Sequence, residues 1–242
     1  MLTVQKYYLW FTIYSVLGWV YESILCSIEE KKIINRGFLN GPYCPIYGAG
    51  AILDYLILGK MSNPILLFIL GALVATSIEY VTSFFMEILF NARWWDYSER
   101  KFNINGRVCL MGAVVFGVFS VALVKFIHPF LMGITELLTP FGINLLTVSF
   151  LFIFTSDIVV TVSAFGSFDS KLKEIAMALE QANSEISDKI RDFSEKIPKH
   201  SQDIFMKRIN WQHKRMISAF PRMKSTKYKE VLTEIKERLR KK

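Results

Sequence analysis

Long apolar runs broken by short polar connections dominate the first two-thirds of the chain. They cover about residues 7–28, 64–90, 108–127 and 144–165, and each supplies the ~20 residues a helix needs to cross the hydrocarbon of a bilayer. A shorter run, 45–59, starts at a proline and either crosses with help from its flanks or dips in and returns. Past residue 166 the pattern changes. Leu172, Ile175, Leu179, Ala182, Ile186, Ile190 and Phe193 recur at helical spacing with charges between them, which predicts an amphipathic helix of about 25 residues. Pro198 ends it, and Pro221 interrupts the next segment. The expected fold is all-α, a polytopic membrane protein. A five-helix transmembrane bundle occupies residues 1–166, and a helical basic cytoplasmic tail occupies residues 167–242.

Composition alone moves this picture little. The chain is 52% hydrophobic and 21% charged with a mean hydropathy of +0.32, against about 45–50% and about 25% in soluble domains. The distribution is more telling. There are ten Lys/Arg against ten Asp/Glu up to Phe165 and nineteen against eleven after it, so the whole formal charge of +8 sits in the tail. This distribution argues against an ordinary soluble enzyme with one evenly mixed surface. Cys26, Cys44 and Cys109 cannot pair completely and fit no zinc spacing, which argues against a secreted disulfide scaffold. The first run has no basic region before it and no small-residue cleavage site after it, so it is expected to stay as the first span.

Orientation follows from the basic residues, because cytoplasmic loops retain Lys and Arg. With five crossings, Lys31, Lys32 and Arg36 share a side with Arg93, Arg100, Lys101, Arg107 and the tail, which places 26 basic residues there against 3 opposite. The amino terminus is then outside the cell membrane and the carboxyl terminus cytoplasmic. Without a crossing at 45–59 the two basic loops would lie on opposite faces, so the charge pattern favours crossing.

Acids inside such spans are costly and usually face a partner, a cavity or a pathway. Glu22, Asp54, Glu79 and Asp157 fall on four different spans. At 1.5 Å rise per residue, Glu22 lies roughly 9 Å inside the cytoplasmic boundary, Asp157 and Asp54 roughly 12–14 Å, and Glu79 roughly 18 Å. Thr76, Glu79, Ser83 and Glu87 recur at intervals of three and four and share one helix face. These acids either line a polar cavity or lock the bundle by pairing with neighbouring helices.

The first cytoplasmic connection carries Arg36, Gly37, Asn40, Gly41, Pro42 and Cys44, and leads through Pro45 to Tyr47, Gly48 and Gly50. Its glycines and prolines exclude regular structure. Free backbone N–H groups at the helix start suit an anion or a carbonyl; the alternative is a tight turn with close helix packing through Gly48 and Gly50. The second connection holds Trp94, Trp95, Asp96, Tyr97 and Ser98, then Asn103, Asn105, Gly106 and Arg107. Aromatic rings settle at headgroup level, which accounts for Trp94, Trp95 and Tyr97 but not for Asp96, Asn103, Asn105 and Arg107. Both connections are expected to fold over the mouth of the carboxylate-lined bundle.

Gly18-Trp19 with Glu22, the stretch from Arg36 to Pro42 running into Pro45 to Gly50, Glu79, and Trp94-Trp95-Asp96-Tyr97-Ser98 with Asn103, Asn105 and Gly106 resemble a known family. It is the bacterial integral-membrane family labelled "putative ABC-transporter permease, type IV" (the CmpB family), and the likeness runs over roughly residues 5–165. The resemblance implies a permease. Such a permease would need a separate ATPase subunit as partner, because this chain has no Gly-x-x-x-x-Gly-Lys-Ser/Thr loop. The tail lies outside the resemblance.

Between Phe205 and Lys229 the tail mixes Lys207, Arg208, Lys214, Arg215, Arg222, Lys224 and Lys227 with Trp211, Phe220 and Tyr228. Beside a bilayer, anionic lipid headgroups are the expected partner, at about 1 kcal/mol per charge near the surface. A solvated helical face and nucleic acid are the alternatives. A second copy of the chain is a further candidate partner. His128 (in an outer loop), His200 and His213 lack a spaced ligand set, so neither metal nor cofactor is expected.

Three functions remain. The leading one is a transporter component whose acids carry a cation, a proton or a cationic solute through a cavity open to the cytoplasm. The second is an intramembrane enzyme on a lipid-linked or small substrate, with Asp96 or a glutamate as general base, although no nucleophile–base pair is visible. The third is a membrane anchor or sensor that presents the tail.

Overall fold

The computed structural model describes residues 2–166, 168–189 and 210–240. Ile190, Phe193, Pro198, His200, Phe205, Lys207 and Arg208 lie outside the described residues, as do the side chains of Leu179, Ala182 and Ile186. The fold is all-α apart from short strand pairs among the described residues. Five apolar helices come first: α1 (Leu2–Glu30), α2 (Pro45–Leu58), α3 (Pro64–Phe90), α4 (Leu110–Glu136) and α5 (Pro140–Gly166). Among them α1, α3, α4 and α5 are long and apolar enough to cross a membrane, and α2 has 14 residues. Helices α6 (Phe168–Lys189), α7 (Trp211–Ala219) and α8 (Lys229–Arg240) follow.

The helix ends are written in the sequence. Prolines 45, 64 and 140 open α2, α3 and α5, where a missing N–H costs nothing. Asn63 caps α3 by accepting from the amides of Ile65 at 2.9 Å and Leu66 at 3.2 Å, and Thr139 caps α5 through the Gly142 amide at 3.1 Å. Helix α1 stops where Lys31 turns left-handed at φ 53° and Lys32 donates back to the Ser27 carbonyl at 3.2 Å.

The chain divides into two compact units. The first comprises Met1–Phe85 and Asp96–Val160. Its closest packing joins α1 to α2. A Cβ on Gly48 would stand 2.3 Å from Ser15 Oγ and 2.5 Å from the Phe11 carbonyl, and one on Gly18 would stand 2.2 Å from the Tyr47 ring. Glycine at these points lets the two backbones approach. Trp10, Tyr14, Leu123 and Leu131 form a buried cluster between α1 and α4. Outer faces are apolar too: Leu73 and Val81 on α3 and Val148, Phe152 and Val159 on α5 are exposed, a surface suited to lipid.

Hydropathy ends the fourth span near Ile127 and leaves His128 in an outer loop; the structure corrects this. Helix α4 runs on to Glu136 through one turn of π-helix, Leu123–Ile127. The His128 amide bonds to the Leu123 carbonyl, five residues back, and this wider turn admits Pro129, which has no N–H to give. His128 is 1% exposed.

Between α3 and α4 lies a hairpin of β2 (Asn103–Ile104) and β3 (Val108–Cys109), paired antiparallel. Three residues, Asn105 to Arg107, join the paired Ile104 and Val108; Asn105 and Gly106 both have positive φ, 53° and 67°, as the central pair of a turn of this hand requires, and the Arg107 amide closes it on the Ile104 carbonyl at 3.0 Å.

The second unit comprises Met86–Trp95 and Thr161–Lys242. Strand β1 (Ala92–Arg93) pairs antiparallel with β4 (Lys224–Ser225). Trp94, 1% exposed, packs among the rings of Phe90, Phe165 and Phe220, with centroids 5.7, 4.8 and 4.9 Å away. Leu172 and Ile175 of α6, Met216 and Ile217 of α7, and Leu232 and Ile235 of α8 are also buried.

Candidate functional site

Glu22 sits on α1 one helical turn before Cys26, and both of its oxygens are taken. Tyr47 on α2 donates its hydroxyl to Oε1 at 2.5 Å, and Arg36 Nε lies 3.4 Å from Oε2. The Arg36 amide donates to Ser23 Oγ at 3.1 Å and its carbonyl accepts from Cys44 Sγ at 3.0 Å. The first connection is thus stitched back along α1. Burial, with Glu22 next and Arg36 opposing, pushes the Cys44 thiol up to about 12, so it is no ready nucleophile.

Glu79 on α3 is 7% exposed and accepts from the Tyr97 hydroxyl through Oε1 at 3.2 Å. Its Oε2 has no partner among the described residues. A Cβ on Gly112 of α4 would stand 3.9 Å from that oxygen. Tyr97 joins the two glutamates electrostatically. Burial raises its hydroxyl pKa most, the charges of Glu79 and Glu22 raise it further, and Arg36 opposes. Glu22, Arg36, Tyr47, Glu79 and Tyr97 therefore form one polar cluster drawn from α1, α2, α3 and both connections.

The remaining residues sort into supports. Asp157 on α5 holds the glycine–proline loop: Oδ1 accepts from the Asn40 amide and side chain at 3.0 and 2.7 Å, and Oδ2 from the Gly41 amide and the Tyr43 hydroxyl at 2.7 and 2.6 Å. Gly37 lies against the Leu39 carbonyl and Trp19, and Pro42 and Pro45 bracket the turn into α2. Gly48 makes the close contact described above, whereas a Cβ on Gly50 would meet nothing within 4 Å. Asp54 on α2, 4% exposed, accepts from Ser120 Oγ of α4.

In the second connection, Asn103 accepts from the Gly106 amide at 2.9 Å and donates to the Arg100 carbonyl at 2.8 Å. Asn105 donates to the Tyr80 hydroxyl at 2.9 Å, and Arg107 to Ser83 Oγ at 3.3 Å beneath the rings of Tyr80 and Phe84. Asp96 accepts from the Ser98 amide at 3.0 Å and from its hydroxyl, a local turn. Arg100 Nη2 reaches Glu29 Oε1 at 3.8 Å, so the two connections meet at the same end of the first unit. Trp94 belongs to the core of the second unit rather than to a headgroup belt, Trp95 beside it is half-buried, and Glu87 pairs with Arg93 at 3.1 Å. Tyr43 and Ser120, which the sequence does not single out, are the partners that fix Asp157 and Asp54.

Comparison with known families places residues 9–162 in one family model. No curated protein and no solved structure matches the chain. The matched span reaches into all five apolar helices and covers both connections, and the chain belongs to the family described as "Putative ABC-transporter type IV" (ABC_trans_CmpB), a multi-pass membrane transporter family.

Proposed function

We propose that the chain is a permease component in which Glu79 and Glu22 form the inner end of a polar route for a cation, a proton or a cationic solute. The amino terminus is outside, the tail is cytoplasmic, and the cavity opens to the cytoplasm beneath the two connections. Glu79 carries this reading: a carboxyl group on a membrane-spanning helix, 7% exposed, with one oxygen on Tyr97 and the other unpartnered among the described residues. Such a group is costly to bury half-satisfied, and an arriving positive charge offsets that cost.

The short helix α2 crosses in this arrangement, although 14 residues span only about 21 Å. Placement of both connections at one end of the first unit supports the crossing, since α2 and α3 then form a down-and-up pair. The energy source is a separate ATPase subunit. Copurification from native membranes checks for it.

The deciding experiment is solute and cation flux into liposomes containing the purified chain. Glu79→Gln and Glu22→Gln are expected to lower flux, and flux unchanged in both overturns the proposal. An anchor or sensor is the second reading, favoured by the aromatic core around Trp94 that organises the tail. Deletion of 168–242 would then abolish function while the glutamine variants would not.

A further inference from the structure

Among the buried polar atoms of the first unit with no hydrogen-bond partner among the described residues, which include the hydroxyls of Tyr8 and Thr76, two belong to carboxyl groups and one to an imidazole: Glu79 Oε2, Asp54 Oδ1 and His128 Nε2. They are 7%, 4% and 1% exposed. Glu22 and Asp157 differ, because both oxygens of each are bonded to groups that fix the first connection and the start of α2.

The three groups follow one helix. Glu79 Oε2 faces Gly112 of α4, Asp54 is held by Ser120 of α4, and His128 is on α4 itself. Gly112, Ser120 and His128 are spaced eight residues apart, a step of roughly 12 Å along the axis. Helix α3 repeats the spacing, since Gly71, eight residues before Glu79, lies 3.8 Å from Asp54 Oδ2 by its would-be Cβ. Eight residues of plain α-helix overshoot two full turns by roughly 80°. The π turn at Leu123–Ile127 takes up that excess, so that Ser120 and His128 both meet α2, at Asp54 and Tyr55.

At the far level His128 is built into an aromatic pocket. Its Nδ1 and the Tyr14 hydroxyl are 2.6 Å apart, Tyr55 stacks on the ring at 3.6 Å, and Trp10 meets it edge-on at 4.6 Å. Trp10 is itself fixed by its indole N–H on Thr135 Oγ1 at 3.3 Å.

We infer that Glu79, Asp54 and His128 are successive stations of a proton relay along α4, an inference that rests on the reading of Glu79 as the inner end of a route. Each transfer moves one proton from an O–H or N–H to a lone pair on the next group, with no change in electron count. A carboxyl group does this by holding the proton on one oxygen and accepting on the other. His128 exchanges at Nε2 while Nδ1 stays on Tyr14. The levels on α4 are roughly 12 Å apart along its axis, more than one hydrogen bond reaches, so in this relay water molecules carry the proton between stations.

The test uses the full chain in liposomes loaded with a pH-sensitive dye, with a potassium diffusion potential driving protons. Wild-type protein is expected to admit protons faster than protein-free vesicles. Asp54→Asn and His128→Gln are each expected to lower the initial rate by about tenfold or more, and Val148→Ala, on the exposed apolar face of α5, to leave it unchanged. Equal rates in wild type, Asp54→Asn and His128→Gln overturn the relay, as does a wild-type rate no faster than empty vesicles. A second measurement needs no variant at a station. Protonation of His128 quenches the neighbouring Trp10, so acidification is expected to dim wild-type tryptophan emission more than that of Trp10→Phe; identical dimming overturns the relay. Solute flux separates the two proposals. Flux lost in Glu79→Gln with proton rates untouched in the other variants removes the relay alone, and flux retained in both Glu79→Gln and Glu22→Gln removes the reading beneath it.

Discussion

The Asp157 carboxylate on α5 and the Gly41 amide in the first connection meet at 2.7 Å across 116 residues of chain. With Asn40 and Tyr43 also donating to it, this one acid holds a segment whose composition gives it no regular structure of its own. A hydrogen bond to a charged group contributes about 1.5–3 kcal/mol. Asp157→Ala is therefore expected to cost about 2–4 kcal/mol and to speed amide hydrogen exchange at 36–44. Unchanged exchange there would show that the loop is held by other contacts.

Gly48 and Gly50 are two residues apart and should respond in opposite ways. Alanine at 48 drives a Cβ to within 2.5 Å of backbone on α1, and at 50 it meets nothing within 4 Å. We expect Gly48→Ala to lose about 1–3 kcal/mol and Gly50→Ala to lose none, read as unfolding temperatures in detergent. Equal shifts would contradict the close α1–α2 approach.

Trp94 is the largest side chain in the second unit's core and is 1% exposed. Trp94→Ala should cost about 3–5 kcal/mol. The measurement is limited proteolysis of the full chain, with new cleavage expected between 210 and 240.

His213 gives the second unit an acid sensitivity. Burial lowers its pKa most, Lys171 acts in the same direction, and the hydrogen bond of Nε2 with the Ala164 carbonyl, 2.9 Å away, opposes. Its Nδ1 is buried without a partner among the described residues, so a proton added there finds no acceptor. The unfolded chain takes that proton at a higher pH than the folded chain does. The stability tied to the neutral ring is therefore intact above the ordinary histidine value of 6.5 and falls as pH drops through and below it. Thermal scans from pH 7.5 to about 5 should show this decline in wild type and a flatter profile in His213→Gln.

Lipid contact by the tail is testable at α7, where Trp211 is 67% exposed beside Lys214 and Arg215. In nanodiscs, anionic lipid should protect 210–219 from hydrogen exchange more than zwitterionic lipid does. Lys214→Glu should reduce that difference by about 1–2 kcal/mol, and raised salt should shrink it.

Much of this architecture was legible in residue order. Apolar length and the prolines at 45, 64 and 140 mark the helices because helix starts and hydrocarbon thickness are local constraints. The Asn105-Gly106 pair is a hairpin signal of the same local kind, yet beside so many polar groups it reads first as chemistry. The fourth span outruns its apolar stretch for a physical reason: a proline normally breaks the preceding helix, and the π turn at Leu123–Ile127 lets α4 continue past Pro129. Partners could not be read at all. That Asp157 takes the loop at Asn40, Asp54 takes Ser120, and Glu79 Oε2 has no partner among the described residues depends on contacts between residues far apart in sequence.

The pairing of β1 with β4 makes order of synthesis matter. Asn91, whose carbonyl accepts from both the amide and the hydroxyl of Thr226, leaves the ribosome 135 residues ahead of its partner. Until Thr226 has been made, Ala92 and Trp94 wait with their binding surface unmade. A nascent chain stalled or truncated before Phe220 carries at Trp94 an indole from which that covering ring is missing.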